Sequence, residues 1–286
     1  MTEPVATTGL DYRIMSAQDM PDAYQLTQVL KWPHRLEDWE SVQRIGQGVV
    51  ATEGQAVLGT AMYWNYGDDY ASIGLVIVSP DRQGAGIGRQ LMTRVLDAVK
   101  GRNVILNATV AGQPLYEKLG FVVYGKIFQH QGTAFQPPLV TLPAGERLRP
   151  VVPSDGPKIA ELASRASGVK RDAVIAEVLA QGSGIAIESD GELIGFALIR
   201  RFGRGYTIGP VVAPDTERAK ALISHWVASH SGMFLRIDIP DGTGLGPWLT
   251  ELGLVQVDTG VTMAKGTPPM EDPKARLFSL VSQALH

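Results

Sequence analysis

The sequence sets out one order of segments and then sets it out again. GVVATEGQAVLGTAM at 48–62 is answered by GIAIESDGELIGFAL at 184–198, IGLVIVSPD at 73–81 by IGPVVAPD at 208–215, and LYEKLGF at 115–121 by WLTELGL at 248–254. Any two α/β units share a strand and helix rhythm. Here Leu58-Gly59 and Ile194-Gly195, Pro80-Asp81 and Pro214-Asp215, and Leu119-Gly120 and Leu252-Gly253 also keep their order, which points to duplication of one mixed α/β unit. At 286 residues and 44% hydrophobic the chain has material for two cores of ordinary size. The Pro-rich stretch QPPLVTLPAGERLRP reads as the connector between them. With the boundary near Pro143 to Gly145, the expected domains are 1–143 and 144–286.

Within the first unit the apolar period switches repeatedly. Tyr12 to Met15 reads as a short strand, followed by a helix entered through Ser16 with Met20, Ala23, Leu26 and Leu30 on one face. KWPHRLEDW reads as irregular. Three strands follow, with turns near Glu53-Gly54 and Gly67-Asp68, the last apolar enough to be central. Ile87, Leu91, Val95, Leu96 and Val99 recur at helical spacing. NVILNATV is a strand, GQPLYEKLG a short helix ended by Gly120, and FVVYGKIFQHQ a further strand.

The stretch VSPDRQGAGIGRQL, Val78 to Leu91, places Gly84, Gly86 and Gly88 between a strand and a helix. Glycines there permit positive φ and close approach of a ligand to the backbone, and a helix start favours an anion. The loop therefore reads as a phosphate cradle. It is not G-x-G-x-x-G, because the third glycine would fall on Arg89, and no G-K-[ST] follows, so a dinucleotide or nucleoside triphosphate site is disfavoured.

Composition removes other classes. With 26 basic and 29 acidic residues the net charge is -3, which offers no basic field for nucleic acid or anionic lipid. There is no cysteine, so disulfides, cysteine zinc sites and a thiol nucleophile are excluded, and no metal site is expected. The first residues, MTEPVATTGLDYR, lack a basic segment followed by an apolar core, and no apolar run is long enough to span a bilayer. The expectation is a cytoplasmic protein, monomer or homodimer, without nucleic-acid or membrane partners.

The glycine loop and LYEKLGF together resemble the GNAT superfamily of acyl-CoA N-acyltransferases. Gln83, Gly86 and Gly88 match the family's [QR]-x-x-G-x-[GA] pyrophosphate signature, with Val76, Ile77 and Val78 as the preceding strand. Tyr116 with Gly120 and Phe121 matches the second signature. The resemblance covers roughly residues 10 to 140. It implies an α/β (α+β) fold of two tandem GNAT-like domains, each a mixed, mostly antiparallel twisted sheet flanked by helices. It also implies acetyl-CoA as cofactor and transfer of its acetyl group to a primary amine, first of all one on a small molecule. A protein N-terminus or lysine, and a non-catalytic acyl-CoA sensor, are the alternatives.

On this resemblance, backbone N–H groups of Gly84, Ala85, Gly86, Ile87, Gly88 and Arg89 hold the pyrophosphate, and Arg82 and Arg89 are candidates for added charge. Val76 and Val78 pair through their backbone with the pantetheine arm, and a backbone N–H of the Ile77-Val78 strand serves the oxyanion. Tyr116 is expected to protonate the departing thiolate. Many members carry Asn seven residues before that tyrosine. Here the position is Thr109, with Asn107 two earlier, and either could supply the contact. Trp32, His34, Trp64 and Tyr66 are candidate walls of the acceptor site, Asp68 and Asp69 lie beyond them, and Glu37 and Glu40 are weaker base candidates.

The second unit departs at each decisive place. APDTERAKAL has no glycine where the cradle would be, Glu217 brings negative charge there, and Leu249 replaces the tyrosine. This unit is expected to have lost cofactor binding. The last segment, ARLFSLVSQALH, spaces Leu277, Leu280, Val281 and Leu285 along one side of an amphipathic stretch, for core packing or an interface.

Overall fold

A computed structural model describes residues 9–135, 137 and 140–286. Residues 1–8 of the leading stretch, and 136, 138 and 139 of the expected connector, lie outside the described residues. The first compact unit runs to Trp64 and takes up again at Ile73–Gly101. The second comprises Asn65–Ser72 and Arg102–His286.

The first unit carries β1 (Leu10–Ile14), α1 (Met20–Val29), α2 (Leu36–Arg44), β2 (Gln47–Glu53), most of β3 (Ala56–Tyr66), the end of β4 (Tyr70–Val78) and α3 (Ile87–Ala98). β1 pairs antiparallel with β2, and β2 with β3. The helical spacing read in α3 is the buried face, with Ile87, Leu91, Met92 and Val95 inside. KWPHRLEDW is not irregular throughout, because α2 begins at Leu36. The Asp38 carboxylate accepts the Arg35 backbone N–H at 2.9 Å and pairs with the Arg35 guanidinium at 2.6 Å, which caps the helix start. Trp39 from this helix is fully buried.

The second unit carries β5 (Asn103–Ala108), α4 (Gln113–Lys118), β6 (Val122–Thr133), β7 (Glu146–Pro150), α5 (Gly156–Ser167), α6 (Asp172–Gln181), β8 (Gly182–Ser189), β9 (Glu192–Phe202), β10 (Gly205–Ala213), α7 (Thr216–Ser229), β11 (Phe234–Pro240), α8 (Gly246–Glu251), β12 (Val255–Lys265) and β13 (Arg276–Ser279). Its strands run in the order β5-β12-β6-β11-β10-β9-β8-β7, with β13 added to β10. The last long strand of each repeat is thus exchanged. β12 lies between β5 and β6, and β6 lies between β12 and β11, through continuous antiparallel ladders. Exchange covers edges that two separate sheets would leave unpaired. It also explains why the compact units do not follow the sequence period.

The segment 276–286 departs from its expected helical spacing. Arg276–Ser279 is a strand, since the edge of β10 at Val211–Ala213 offers hydrogen bonds to an extended chain. Of the four expected residues Leu280, Val281 and Leu285 are buried and Leu277 is half-buried, while Phe278, which the spacing left out, is fully buried.

The duplication shows in details that give physical reasons for matched residues. A Cβ on Gly59 would come within 2.8 Å of the Ile77 carbonyl, and one on Gly195 within 2.9 Å of the Val212 carbonyl. Both glycines admit the strand that follows. Arg13 grips Asp19 at 2.6 Å while Asp19 accepts the Ser16 N–H. Arg149 grips Asp155 at 2.7 Å while Asp155 accepts the Val152 N–H.

Candidate active site

Residues 79–86 connect β4 to α3 and present an open helix start. Gly84 (φ 79°) and Gly86 (φ 81°) are left-handed, Gly86 is the N-cap residue of α3, and no side chain caps that end. A Cβ on either glycine would meet nothing within 4 Å, and residues 81–86 are exposed. The first N–H groups of α3 therefore face free space, which suits a bound anion. Gln83 folds back to donate from Nε2 to the Val78 carbonyl at 3.2 Å. Arg82 is paired with Glu53, whereas Arg89, at the other side of the glycines, is exposed. Ile87 is buried beneath the loop and anchors it.

The strand leading into the loop is bent at Leu75, a buried residue with φ 50°. A non-glycine residue in this region costs roughly 1–3 kcal/mol and persists only where its surroundings fix it. Thr60 does so, donating from Oγ1 to the Leu75 carbonyl at 2.7 Å. Val76, Ile77 and Val78 follow the bend. The parallel ladder of β4 with β5 covers Tyr70–Ser72 and Asn103–Ile105, before the bend is reached. Sequence reading missed Thr60 and Leu75. The available signal was the one residue by which IGLVIVSPD exceeds IGPVVAPD.

In the second unit, Tyr116 of α4 is 7% exposed, with its ring 6.0 Å from that of Phe121. Burial alone pushes its phenol up to about 12, because no charged or hydrogen-bonding neighbour opposes it. Gly112 makes room for it, since a Cβ there would stand 3.0 Å from the ring and 3.4 Å from Thr109 Oγ1. The Thr109 hydroxyl accepts the Gly112 N–H at 3.2 Å and so shapes the entry to α4. Asn107 is committed at both ends of its amide, donating to the Gln283 carbonyl at 2.9 Å and accepting from Thr262 Oγ1 at 3.0 Å. Between Asn107 and Thr109, the open position is Thr109.

The expected acceptor walls divide. Trp32 and His34 are half-buried, with rings 6.0 Å apart. Trp64 is 1% exposed and donates from Nε1 to the Val42 carbonyl at 2.8 Å, over Gly46, where any side chain would collide with its indole. Tyr66 is buried in the second unit, donating to the Leu285 carbonyl at 2.6 Å and accepting from Ser72 Oγ at 2.9 Å. Asp68 is exposed, 3.9 Å from Arg102.

The second repeat closes every feature that the first leaves open. Only residues 214–215 join β10 to α7, and the Asp215 carboxylate accepts the Arg218 N–H at 2.9 Å, so the helix start is filled by its own chain. Arg218 in turn pairs with Glu146 at 2.5 Å. β10 pairs with β11 only at Tyr206–Thr207 and is then covered by β13, and Leu249 is fully buried in the core.

Among the described residues there is no grouping of three or more His, Asp or Glu able to hold a metal ion, and no helix long and apolar enough to cross a membrane. The acetyltransferase (GNAT) domain family matches the chain twice, at residues 22–141 and 159–279. An uncharacterized N-acetyltransferase of Bacillus subtilis (strain 168), YitH, is 31% identical over 219 residues, 75% of this chain and 76% of the relative. A holothin acyltransferase of Pseudoalteromonas sp. (strain SANK 73390) is 25% identical over 264 residues, 89% and 87% of the two chains. A solved putative acetyltransferase of Pyrococcus horikoshii superposes with a TM-score of 0.79 at 21% identity, covering 100% of this chain and 99% of its own.

Proposed function

Because the chain belongs to the GNAT acetyltransferase family, we propose that it transfers an acetyl group from acetyl-CoA to the primary amine of a small molecule. The observation that carries this reading is the uncapped, left-handed glycine loop at α3, beside a second repeat whose equivalent helix start is filled by Asp215. The proposed division of labour follows the repeats, with 1–143 acyl-transferring and 144–286 supporting.

Acetyl-CoA, when bound, supplies an activated thioester. The N–H groups from Gly84 to Arg89 receive its pyrophosphate, the guanidinium of Arg89 adds charge, and the backbone of Val76–Val78 receives the pantetheine arm. A backbone N–H of the same strand steadies negative charge on the carbonyl oxygen. Tyr116, protonated throughout the neutral range, holds the proton that the leaving thiolate needs. Trp32 and His34 are the proposed acceptor contacts in the first unit. Trp64 and Tyr66, whose polar atoms are already hydrogen-bonded to Val42 and Leu285, drop out as direct acceptor contacts. The curated relative named for acylating holothin favours a small-molecule acceptor over a protein.

The test is thiol release from acetyl-CoA with amines, amino acids, aminoglycosides, polyamines and short peptides. The protein has no cysteine and adds no thiol background. Release with free amines is the expected result. Release with peptides alone moves the acceptor to protein, and acetyl-CoA binding without release for any acceptor leaves a sensor.

A further inference from the structure

The segment 276–285 meets the central strands of both repeats, within the second unit, and treats them differently. The parallel ladder of β10 with β11 covers only Tyr206–Thr207. Past it, Arg276–Ser279 pairs with β10 and the Ser279 hydroxyl donates to the Ile208 carbonyl at 2.8 Å. The Leu280 N–H donates to the Asp238 carbonyl of β11 at 2.9 Å. A Cβ on Gly209 would collide with the Leu280 carbonyl, so the segment lies against the backbone of β10 itself. Where these two strands part, the chain fills the opening with its own backbone.

At the strands of the first repeat the same segment passes across instead of in. The Gln283 carbonyl accepts from Asn107 Nδ2 of β5 at 2.9 Å, and the Leu285 carbonyl accepts from the Tyr66 hydroxyl of β3 at 2.6 Å. Ser72 of β4 donates to the Tyr66 hydroxyl at 2.9 Å and stands 3.4 Å from the Ala284 carbonyl. Three successive residues are met by three different strands.

Each anchor is itself fixed. Asn107 accepts from Thr262 Oγ1 at 3.0 Å, and the Gln283 side chain reaches Gln129 and Asp238 at 3.3 and 3.4 Å. Arg171 donates to the Leu285 carbonyl at 2.7 Å and lies over the Tyr66 ring at 5.0 Å. Tyr66, Ser72, Arg171 and Leu285 are all buried, where hydrogen bonds are electrostatically stronger than in water.

The place of the crossing bears on the reaction. The ladder of β4 with β5 ends at Ser72 and Ile105. Asn107 lies two residues beyond that end, on the face of β5 that carries Ile105. The pantetheine arm proposed above passes Val78 and then Val76, away from the glycine loop, so its acyl end points down β4 toward Ser72. What lies across the strands there is 283–285, held through its carbonyls.

We infer that residues 283–285 form the floor of the acyl pocket, and that Asn107 and Tyr66, by holding them, restrict the chain to short acyl groups. The inference rests on the acyl-transfer reading. A short acyl group stops above the floor, whereas a long one must displace a segment tied to β3 and β5. Asn107 and Tyr66 are positioning residues, acting through the backbone that they hold.

The experiment compares acetyl-, butyryl- and octanoyl-CoA in the thiol-release assay, with the full chain and the amine it uses best. Across the series kcat/KM is expected to fall, by at least about tenfold at octanoyl-CoA. The octanoyl-to-acetyl ratio is expected to rise about fivefold in Asn107→Ala and in Tyr66→Phe, each of which deletes one hydrogen bond to the floor. Phe202 stands at the place of Tyr66 in the second repeat, so Tyr66→Phe keeps a shape that the fold accepts and decides the matter if Asn107→Ala fails to fold. Octanoyl-CoA used within twofold of acetyl-CoA by the parent overturns the inference and leaves the acyltransferase standing. Acetyl and octanoyl rates that fall together in the variants, with their ratio unchanged, mark a merely structural role and overturn it as well. No thiol release from any ester with any amine removes the acyl-transfer reading, and the inference with it.

Discussion

The starts of α3 and α7 occupy equivalent places in the two repeats and answer the same physical problem in opposite ways. Each helix begins with N–H groups that have no partner within the helix. At α7 the chain solves this internally. Asp215 accepts the Arg218 N–H and pairs with its guanidinium, and Arg218 is tied on to Glu146. At α3 residues 81–86 are exposed, Gly84 and Gly86 take positive φ, and no side chain caps the helix start. The same contrast recurs along the preceding strand. Past its short parallel ladder β10 is covered by β13, whereas β4 bends at Leu75. Leaving the donors open is the less stable choice for the isolated fold, and it makes sense where an outside anion supplies what Asp215 supplies from within.

The comparison can be broken most sharply at its chemistry. Tyr116→Phe removes the proposed proton donor, at the position that Leu249 fills in the second repeat. Turnover should fall by about a hundredfold or more with acetyl-CoA affinity, read by calorimetry, unchanged. Unaltered turnover removes Tyr116 from the mechanism. Gly86→Val has space for its side chain but demands φ 81° of a β-branched residue at the ligand side. A loss of acetyl-CoA affinity of at least about fiftyfold is expected with the fold retained, and affinity within twofold of the parent would sink the cradle. Thr60→Val deletes the bond that holds Leu75. It should cost about 1 kcal/mol of stability and weaken acetyl-CoA binding. Asp215→Ala, by contrast, should cost about 1 kcal/mol through loss of the cap while acetyl-CoA binding stays at one per chain. A second equivalent bound would mean that the second repeat is not closed.

The smallest effects are in pH. Asp19 is held down to about 2, chiefly by its hydrogen bond from Arg13. The folded form stays ionised where the unfolded carboxyl has taken up a proton. Stability from this pair is therefore full above about pH 4 and is lost as pH falls toward 2, a change of about 1 kcal/mol after allowing for the exposure of Arg13. Asp19→Asn should flatten that limb in acid-unfolding curves. Tyr116 acts at the other end. With its phenol raised to about 12, the folded form keeps a proton that the unfolded form loses near 10, so stability should fall as pH rises between those values, and Tyr116→Phe should remove the slope.

Much of this was legible from residues that act locally. Gly84 and Gly86 announce positive φ, Ile87 to Val95 announce a buried helical face, and the ordered repeats announce duplication, because turn chemistry and periodicity need only near neighbours. The sequence was less informative where a residue's role depends on a distant partner. Trp64 and Tyr66 stand two apart on one strand, which grouped them as candidate acceptor walls. Yet one polar atom is bound to Val42 and the other to Leu285, contacts that no spacing encodes. Leu277 to Leu285 fit a helix by spacing and became a strand and its continuation because β10 offered an unpaired edge. Arg13 and Asp19 lay in plain view as a repeated pair, with Arg149 and Asp155, and carried no meaning until the strand and the helix start brought them together.

By itself, then, the sequence determined that this is a duplicated α/β chain with one glycine-opened helix start, since both are legible in short segments, and its resemblance to a family picked out Tyr116 as the proposed proton donor. Tertiary structure decided which strands pair. It alone produced the exchange of β6 and β12 and the bend at Leu75 held by Thr60, because each joins residues apart in sequence through hydrogen bonds that form only once the chain has packed.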